Sequence, residues 1–404
     1  MSINARPKFQ DLDRIRAQNR RNILQCIRDS GEISRVDISS LVDVSPATVS
    51  VVTGELLVDG LIETVEQHGK SSGRGRPKRL LRLRPGAAYA IGIKFALHQA
   101  SVSITNFVGD VLASDSLPIA PSRRAPGQLV DICEQQIDRM LGLAGLEPHR
   151  LLGVGIGVSG CVAHETGTVV WSPMFAERNF PLRAAIEERT GLRVAVDNEA
   201  NLAGLAEKWF GLGRTYPSFI LATVEHGVGM SVVIDHQIHR GWRGFAGELG
   251  HMTVDLDGAE CRCGKRGCVE AYVADYAMVR EARALVGDVP VRDQQAVQDA
   301  LDALASRADV GDREAAAIFV RAGHVFGVAL ANAVNLIDPP MIIIGGQRAA
   351  HPAQVFIESL ERSMRDNIIA VDGGVPPVEV RAWGDDTWAR GAAALVLEEF
   401  MPRN

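Results

Sequence analysis

His251, Cys261, Cys263 and Cys268 fall within eighteen residues, the thiols in the run C-R-C-G-K-R-G-C-V-E. Three thiols and one imidazole at such close range are the ligand set of a closed, tetrahedral Cys3His zinc site, which holds structure and leaves no coordination position for water. The spacing is not that of a zinc finger. It describes a glycine-punctuated loop inside a larger domain, and whatever the chain folds into must bring these four side chains to one point. Glu248 and Glu270 flank the cluster, and Asn198 and Glu199 lie in a second polar segment upstream. A structural zinc ion is therefore the expected cofactor.

The other cysteines do not compete with this reading. Six cysteines in 404 residues, three of them in one loop, fit a reducing compartment better than a disulfide framework. Cys26, Cys133 and Cys161 have apolar neighbours in sequence and read as buried structural thiols. No apolar run reaches the eighteen residues of a membrane span, and the first residues, M-S-I-N-A-R-P-K, carry no signal-peptide core. A cytoplasmic protein with no membrane partner is expected.

Charge divides the chain. Residues 1–84 hold fifteen Lys and Arg against ten Asp and Glu, a net of +5, so the whole-chain charge of -6 leaves -11 for the remainder. A basic head on an acidic body points the head alone at a polyanion.

The pattern of the head agrees. Residues 13–29 read as an amphipathic helix with an apolar stripe of Ile15, Ile23, Leu24 and Ile27. Ser34 can cap a second helix, with Asp37 as its capping-box acid, and a tight turn at Val42-Asp43-Val44 follows. Ser45 can cap a third helix with Pro46 at its first position, where a missing N–H costs nothing, and Gly60 ends it. Two strands, 61–65 and 79–83, flank a tip reading S-G-R-G-R-P-K-R. Three helices and a two-stranded wing make a winged helix-turn-helix over residues 1–84. The third helix of this motif enters the major groove. Candidate DNA contacts are Arg35, Ser45, Ala47, Thr48 and Ser50 on the helices, and Arg74, Arg76 and Lys78 in the wing, whose arginines suit a narrow minor groove. The partner is then operator DNA; a protein-docking use of the same motif is the lesser reading.

Pro85-Gly86 marks a linker to residues 85–404. Short apolar strands now alternate with Ala- and Leu-rich helices, among them 312–335 and 387–399. Two strand meanders, Tyr89–Phe107 and Phe219–Gln237, each open one lobe of an α/β body.

G-E-L-G-H at 247–251, followed by C-x-C-G-x-x-G-C-x-E at 261–270, resembles the zinc motif of the ROK family (repressors, open reading frames and sugar kinases). V-D-N-E-A-N-L-A-G-L-A-E at 196–207 is similar to the family's sugar-site segment, and the head is similar to that of its xylose- and N-acetylglucosamine-type regulators. The resemblance spans nearly the whole chain. It implies a winged helix-turn-helix followed by a two-lobed, actin-like ATPase fold closing over a sugar. It also implies that His251, Cys261, Cys263 and Cys268 bind zinc, and that Asn198, Glu248, His251 and Glu270 contact sugar hydroxyls, with Glu199 the fifth residue expected at the ligand. His251 would then serve metal and sugar at once.

Departures from the family's kinases decide the expected activity. Where those enzymes carry D-x-G-G-T, this chain has Lys94-Phe95-Ala96-Leu97-His98; where they carry G-T-G-x-G, it has Glu225-His226-Gly227-Val228-Gly229. Glu199 replaces the catalytic aspartate of the sugar segment, moving the carboxylate by about an ångström. Gly345-Gly346 resembles the adenosine-side loop, although it is also an ordinary tight turn. The expectation is a sugar- or sugar-phosphate-responsive repressor without kinase activity, a homodimer or homotetramer on a palindromic operator. The rivals are an active sugar kinase with a DNA-binding head and a sensor of a protein partner.

Overall fold

The computed structural model describes residues 9–66, 79–96, 98–119, 125–346, 354–369 and 374–400. The head forms as its capping residues dictate. Helix α1 (Phe9–Ser30) begins upstream of the expected 13. A short β1 (Ile33–Ser34) leads into α2 (Arg35–Leu41), where the Ser34 hydroxyl accepts from the Asp37 N–H at 3.3 Å and donates to its carboxylate at 2.6 Å. The intervening turn puts Asp43 at φ 49°, a left-handed conformation that Asp tolerates. Helix α3 (Pro46–Val58) starts at Ser45, whose side chain accepts from the Thr48 N–H, and Gly60 at φ 69° lets the chain leave it.

Strands β2 (Ile62–Glu66) and β3 (Arg79–Leu83) pair antiparallel, and β1 adds on the other edge of β3. The sheet thus has three strands rather than two. A two-residue strand carries too little periodicity to be seen in sequence. The wing tip, with Arg74, Arg76 and Lys78, lies outside the described residues.

The body contains one topology twice. In the first lobe, β4 (Tyr89–Phe95), β5 (Gln99–Asn106) and β6 (Val111–Pro118) make an antiparallel meander covered by α4 (Pro126–Ala144). Strand β7 (Leu151–Val158) lies parallel to β4; after the hairpin β8 (Cys161–Ala163) and β9 (Thr168–Trp171) and helix α5 (Leu182–Thr190), β10 (Val194–Asn198) adds parallel to β7. Helix α6 (Glu199–Phe210) leads to the second lobe. There β11 (Phe219–Val224), β12 (Val228–Ile234) and β13 (Gln237–Ile238) repeat the meander, while β14 (Ile342–Gly346) and β15 (Val378–Ala382) repeat the parallel pair. The two sheet orders, β6-β5-β4-β7-β10 and β13-β12-β11-β14-β15, correspond strand for strand. The inferred second lobe and its late glycine-ended strand are therefore present as read.

Helices α7 (Glu270–Val273), α8 (Asp275–Glu281), α9 (Arg283–Val286), α10 (Gln294–Asp309), α11 (Arg313–Ile337) and α12 (Gln354–Asn367) cover the second sheet, and α13 (Asp385–Phe400) returns to the first. Helix α11 has the length and apolarity of a membrane span. It buries Ile318, Phe319, Phe326 and Leu330 in the second lobe's core and packs along α12, which makes it a core helix.

Two glycines place α13. A Cβ on Gly92 of β4 or Gly155 of β7 would collide with the backbone carbonyls of Ala389 and Ala392, so the helix lies directly on bare strand backbone. Backbone cannot swing aside as a side chain can. Gly155→Ala is expected to cost about 2–3 kcal/mol, read as a lower urea midpoint with an unchanged slope.

The head does not stand apart from this body. Ile23, Ile27, Leu56 and Leu81 share one buried cluster with Leu202, Leu205 and Trp209 of α6 and with Leu395 of α13.

Candidate functional site

The strands β4, β7, β10 and β11 all end at one cleft between the lobes. This is where open α/β sheets expose backbone ends and helix N-termini to ligands. Its walls carry Lys94 from β4, Ser159 and Gly160 after β7, Asn198 and Glu199 at the start of α6, and Glu225 to Gly229 from the β11–β12 turn. Glu248, His251, Arg262, Cys263 and Glu270 complete it from the Cys-rich side. All five expected ligand residues, Asn198, Glu199, Glu248, His251 and Glu270, thus face one space although they come from two lobes.

Each is held differently. Asn198 is the N-cap of α6. Its side-chain oxygen accepts from the Ala200 N–H at 2.7 Å, and its amide donates to the Gly160 carbonyl at 2.6 Å. Those two bonds fix the amide while leaving one N–H and one lone pair for a ligand. Asp197, fully buried, anchors this corner. It accepts from Asn201 at 2.9 Å and from Arg240 at 2.8 Å. Glu199 accepts from the Ser159 hydroxyl at 2.7 Å and pairs with the Lys94 ammonium at 3.5 Å.

Glu248 and Glu270 sit deeper. Burial raises the Glu248 carboxyl above its ordinary range, against the pull of nearby His251. Its oxygen lies 3.8 Å from the Cys161 thiol, which burial and this carboxylate push up to about 11. Cys161 is therefore a half-buried thiol against the cleft residue Glu248 and not a fully buried core thiol. Cys26 is likewise half-buried, and only Cys133 of the three is buried as expected. Glu270 is 9% exposed and accepts from the Tyr276 hydroxyl at 3.4 Å. Convergent carboxylates and an amide suit a polyhydroxy ligand, because each desolvated hydroxyl needs a partner.

The Cys-rich loop gathers the four expected metal ligands. The donor atoms of His251, Cys261, Cys263 and Cys268 all lie within 4.8 Å of one another. Cys261 Sγ is 3.7 Å from His251 Nδ1, and Cys263 Sγ is 3.7 Å from Cys268 Sγ. A tetrahedral zinc with Zn–S near 2.3 Å sets its ligands about 3.8 Å apart, so these residues fit the ion. Gly264 and Gly267, at φ 90° and 70°, make the turns that bring the thiols together. The loop's own apolar cluster is only Cys261, Cys268 and Ala271 with partial cover from Ala259, Cys263 and Tyr272. Burial pushes the Cys261 thiol up to about 12, and a bound dication reverses that preference by stabilising thiolate.

The two segments expected to depart from the kinases' phosphate loops bring charge and imidazole rings into the cleft. Lys94, 6% exposed, occupies the end of β4 between Glu199 and Glu225, whose carboxylate oxygens lie 3.5 and 3.9 Å away. The rings of His98 and His226 meet edge-to-face with centroids 5.4 Å apart. Burial and the Arg262 charge lower His226 to about 4, so it is neutral at physiological pH. Leu97 lies outside the described residues. Gly345 is required by packing, since any Cβ there would enter the Trp383 ring. Lys94, Ser159, Arg262 and Trp388 were not singled out as cleft residues from the sequence. Only the departure of Lys94 from D-x-G-G-T signalled one of them.

On the head, Ser45, Ala47 and Ser50 are exposed at the start of α3, as a recognition helix requires. Thr48 is half-buried and its hydroxyl meets that of Ser45 at 2.9 Å, strengthening the cap. Arg35 Nε donates to the Thr53 hydroxyl at 2.8 Å and so ties α2 to α3. Val36 and Val51 are 75% and 58% exposed on these two helices, apolar residues of the kind that meet thymine methyls.

A family model described as "ROK family" matches residues 90–399, and one described as "Winged helix-turn-helix DNA-binding" matches residues 16–63. The xylose repressor of Caldicellulosiruptor bescii is 32% identical over 391 residues, covering 95% of this chain and 96% of that one. A ROK family transcriptional regulator, described as a homologue of the Escherichia coli MLC protein, superimposes with a TM-score of 0.78 at 26% identity, covering 95% of this chain and 96% of its own. A ROK glucokinase from Streptomyces griseus, solved with glucose and AMPPNP, superimposes at 0.62 and 27% identity. It covers 76% of this chain and 98% of its own.

Proposed function

Because the chain belongs to the ROK family, we propose that it is a sugar-responsive, DNA-binding transcriptional repressor whose kinase-like body senses its effector without phosphorylating it. The observation that carries the reading is the division of the cleft. Asn198, Glu199, Glu248, His251 and Glu270 line its sugar side, while Lys94, Glu225 and His226 fill the segments that correspond to phosphate loops. Phosphoryl transfer depends on backbone N–H groups and metal ions cradling phosphates. The half-buried carboxylate of Glu225 in that loop opposes the same charge.

The metal in this reading is zinc, held by His251, Cys261, Cys263 and Cys268, and its contribution when bound is to fix the loop that carries one wall of the cleft. The DNA partner is an operator contacted by Arg35, Ser45, Ala47, Thr48 and Ser50 of the helices and by Arg74, Arg76 and Lys78 of the wing sequence. A symmetric oligomer would set two heads on a palindrome.

Helix α6 supplies the link between ligand and DNA. Its first turn is the cleft wall at Asn198 and Glu199, and its twelve residues end against the head about 18 Å away. There the Arg28 guanidinium of α1 lies 4.3 Å from the Trp209 ring centre, and Arg214 donates to the Asp29 carbonyl at 2.6 Å. A shift of α6 on sugar binding would therefore reach α1 through packed side chains. Arg28→Ala is expected to leave both separate affinities near wild type while lowering their coupling by about 0.5–2 kcal/mol, seen as operator release that needs more sugar or remains incomplete.

The test of the function is operator binding by fluorescence anisotropy, with and without a panel of sugars and sugar phosphates, beside an ADP-release assay with ATP. Sugar-dependent release without ADP production supports the reading. Sustained ADP production that depends on Glu199 identifies a kinase instead.

A further inference from the structure

We propose that Lys94 is a positioning residue of the effector site: an internal cation that holds Glu199 for the sugar and spares the sensor any need for a nucleotide. The proposal rests on the sensor reading above and names how that site is completed.

The geometry is that of a buried charge with partners from both lobes. Lys94 sits on β4 of the first lobe with a side chain only 7% exposed. Its ammonium lies 3.5 Å from Glu199, 3.9 Å from Glu225 of the second lobe, and 3.9 Å from the centre of the Trp388 ring on α13. An ammonium so desolvated is tolerated only where carboxylates and an aromatic face replace its water. The converse holds for Glu199. Its Oε1 accepts from the Ser159 hydroxyl and its Oε2 faces Lys94, so both oxygens are fixed while each keeps a lone pair for a hydroxyl.

Charge explains why a lysine stands here. Glu199, Glu225, Glu248 and Glu270 all line one cleft. Carboxylates gathered in one cleft repel one another unless a cation stands among them. In phosphoryl-transfer enzymes the cations that come with a nucleotide supply compensating charge. In this chain Lys94 supplies it permanently, at the β4 end that corresponds to a phosphate loop. Glu199 is then oriented before any ligand arrives, with Glu225 of the second lobe at the same cation. Sugar binding should accordingly proceed without ATP and gain nothing from it.

Lys94→Ala tests this by removing the cation and leaving room for a substitute. Affinity for whichever of D-xylose, D-glucose, N-acetyl-D-glucosamine or their phosphates the wild type binds should fall about tenfold or more. Operator binding without sugar should persist. Added ethylammonium should restore the sugar affinity, whereas ethanol should not; a purely structural role would show no such discrimination. Because lone removal of a buried charge can unfold a protein, the double variant Lys94→Met/Glu225→Gln removes one charge of each sign and keeps the volume. It should bind operator normally and still lose about tenfold in sugar affinity. Sugar affinity within twofold of wild type in either folded variant, or a loss in Lys94→Ala that ethylammonium leaves unrepaired, overturns the proposal. So does a wild-type sugar affinity that rises when ATP is added. A wild type that answers to no member of the panel overturns the effector reading itself, which distinguishes that failure from a failure of Lys94.

Discussion

Cys263→Ala is expected to empty the metal site and to abolish the sugar response while the head still binds DNA. The wild type should carry about one zinc per chain by elemental analysis, and the variant essentially none, because three ligands do not close a tetrahedral structural site. The stability loss should reach about 4 kcal/mol, in the range reserved for loss of a metal or disulfide. The reason is local. Among the described residues the loop's own buried cluster holds only Cys261, Cys268 and Ala271, far too little apolar surface to order Asp255 to Cys268 by burial. Cys263 is half-buried, so its truncation leaves a small cavity, and the loss can be assigned to the ligand. His251 and Cys263 also line the cleft, so a loosened loop moves a cleft wall. Treating the wild type with a chelator should reproduce the variant's melting temperature and its lost sugar response, and zinc should restore the wild type alone. A sugar affinity unchanged by metal removal would separate the loop from the site.

Asn198→Ala should weaken sugar binding about a hundredfold with operator binding nearly unchanged. Two losses combine. The α6 N-cap disappears, which costs about 1 kcal/mol, and the Gly160 carbonyl loses its 2.6 Å donor at the cleft edge. The ligand then loses an amide donor and acceptor in a partly desolvated site, worth a further 1–2 kcal/mol or so. Asn198→Asp distinguishes the two. It keeps the cap, since a carboxylate accepts from the Ala200 N–H, but cannot donate to Gly160 and adds charge beside Glu199. Calorimetric titration with the responsive sugar should find Asn198→Asp as weak as Asn198→Ala, with thermal stability closer to wild type. An Asn198→Asp protein with normal affinity would show that the cap alone matters.

Much of this was legible in the chain. Ser34, Ser45, Pro46 and Gly60 mark the head's helices because capping is a local hydrogen-bond problem, solved by residues within three positions of each other. The candidate metal ligands were legible for the same reason, since few residue types bind zinc and four of them cluster. The third strand of the head's sheet was not, because Ile33–Ser34 becomes a strand only by pairing with Leu80 and Leu81 nearly fifty residues away. Nor was the exposure of Cys161. Its sequence neighbours are apolar, but the side chain meets Glu248 from the other lobe.

The sequence by itself determined the head's helices, the candidate metal ligands and the two-lobed plan, all of which rest on short-range patterns or on residue chemistry. Tertiary structure decided what these parts do together. It set Asn198, Glu199, Glu248, His251 and Glu270 around one cleft, and it ran α6 from that cleft to Arg28 of the head. It also turned Lys94 from a missing acid into a cation shared by two lobes. Such couplings join residues as far apart in the chain as Arg28 and Trp209. Their energies depend on burial and distance, which no local pattern encodes.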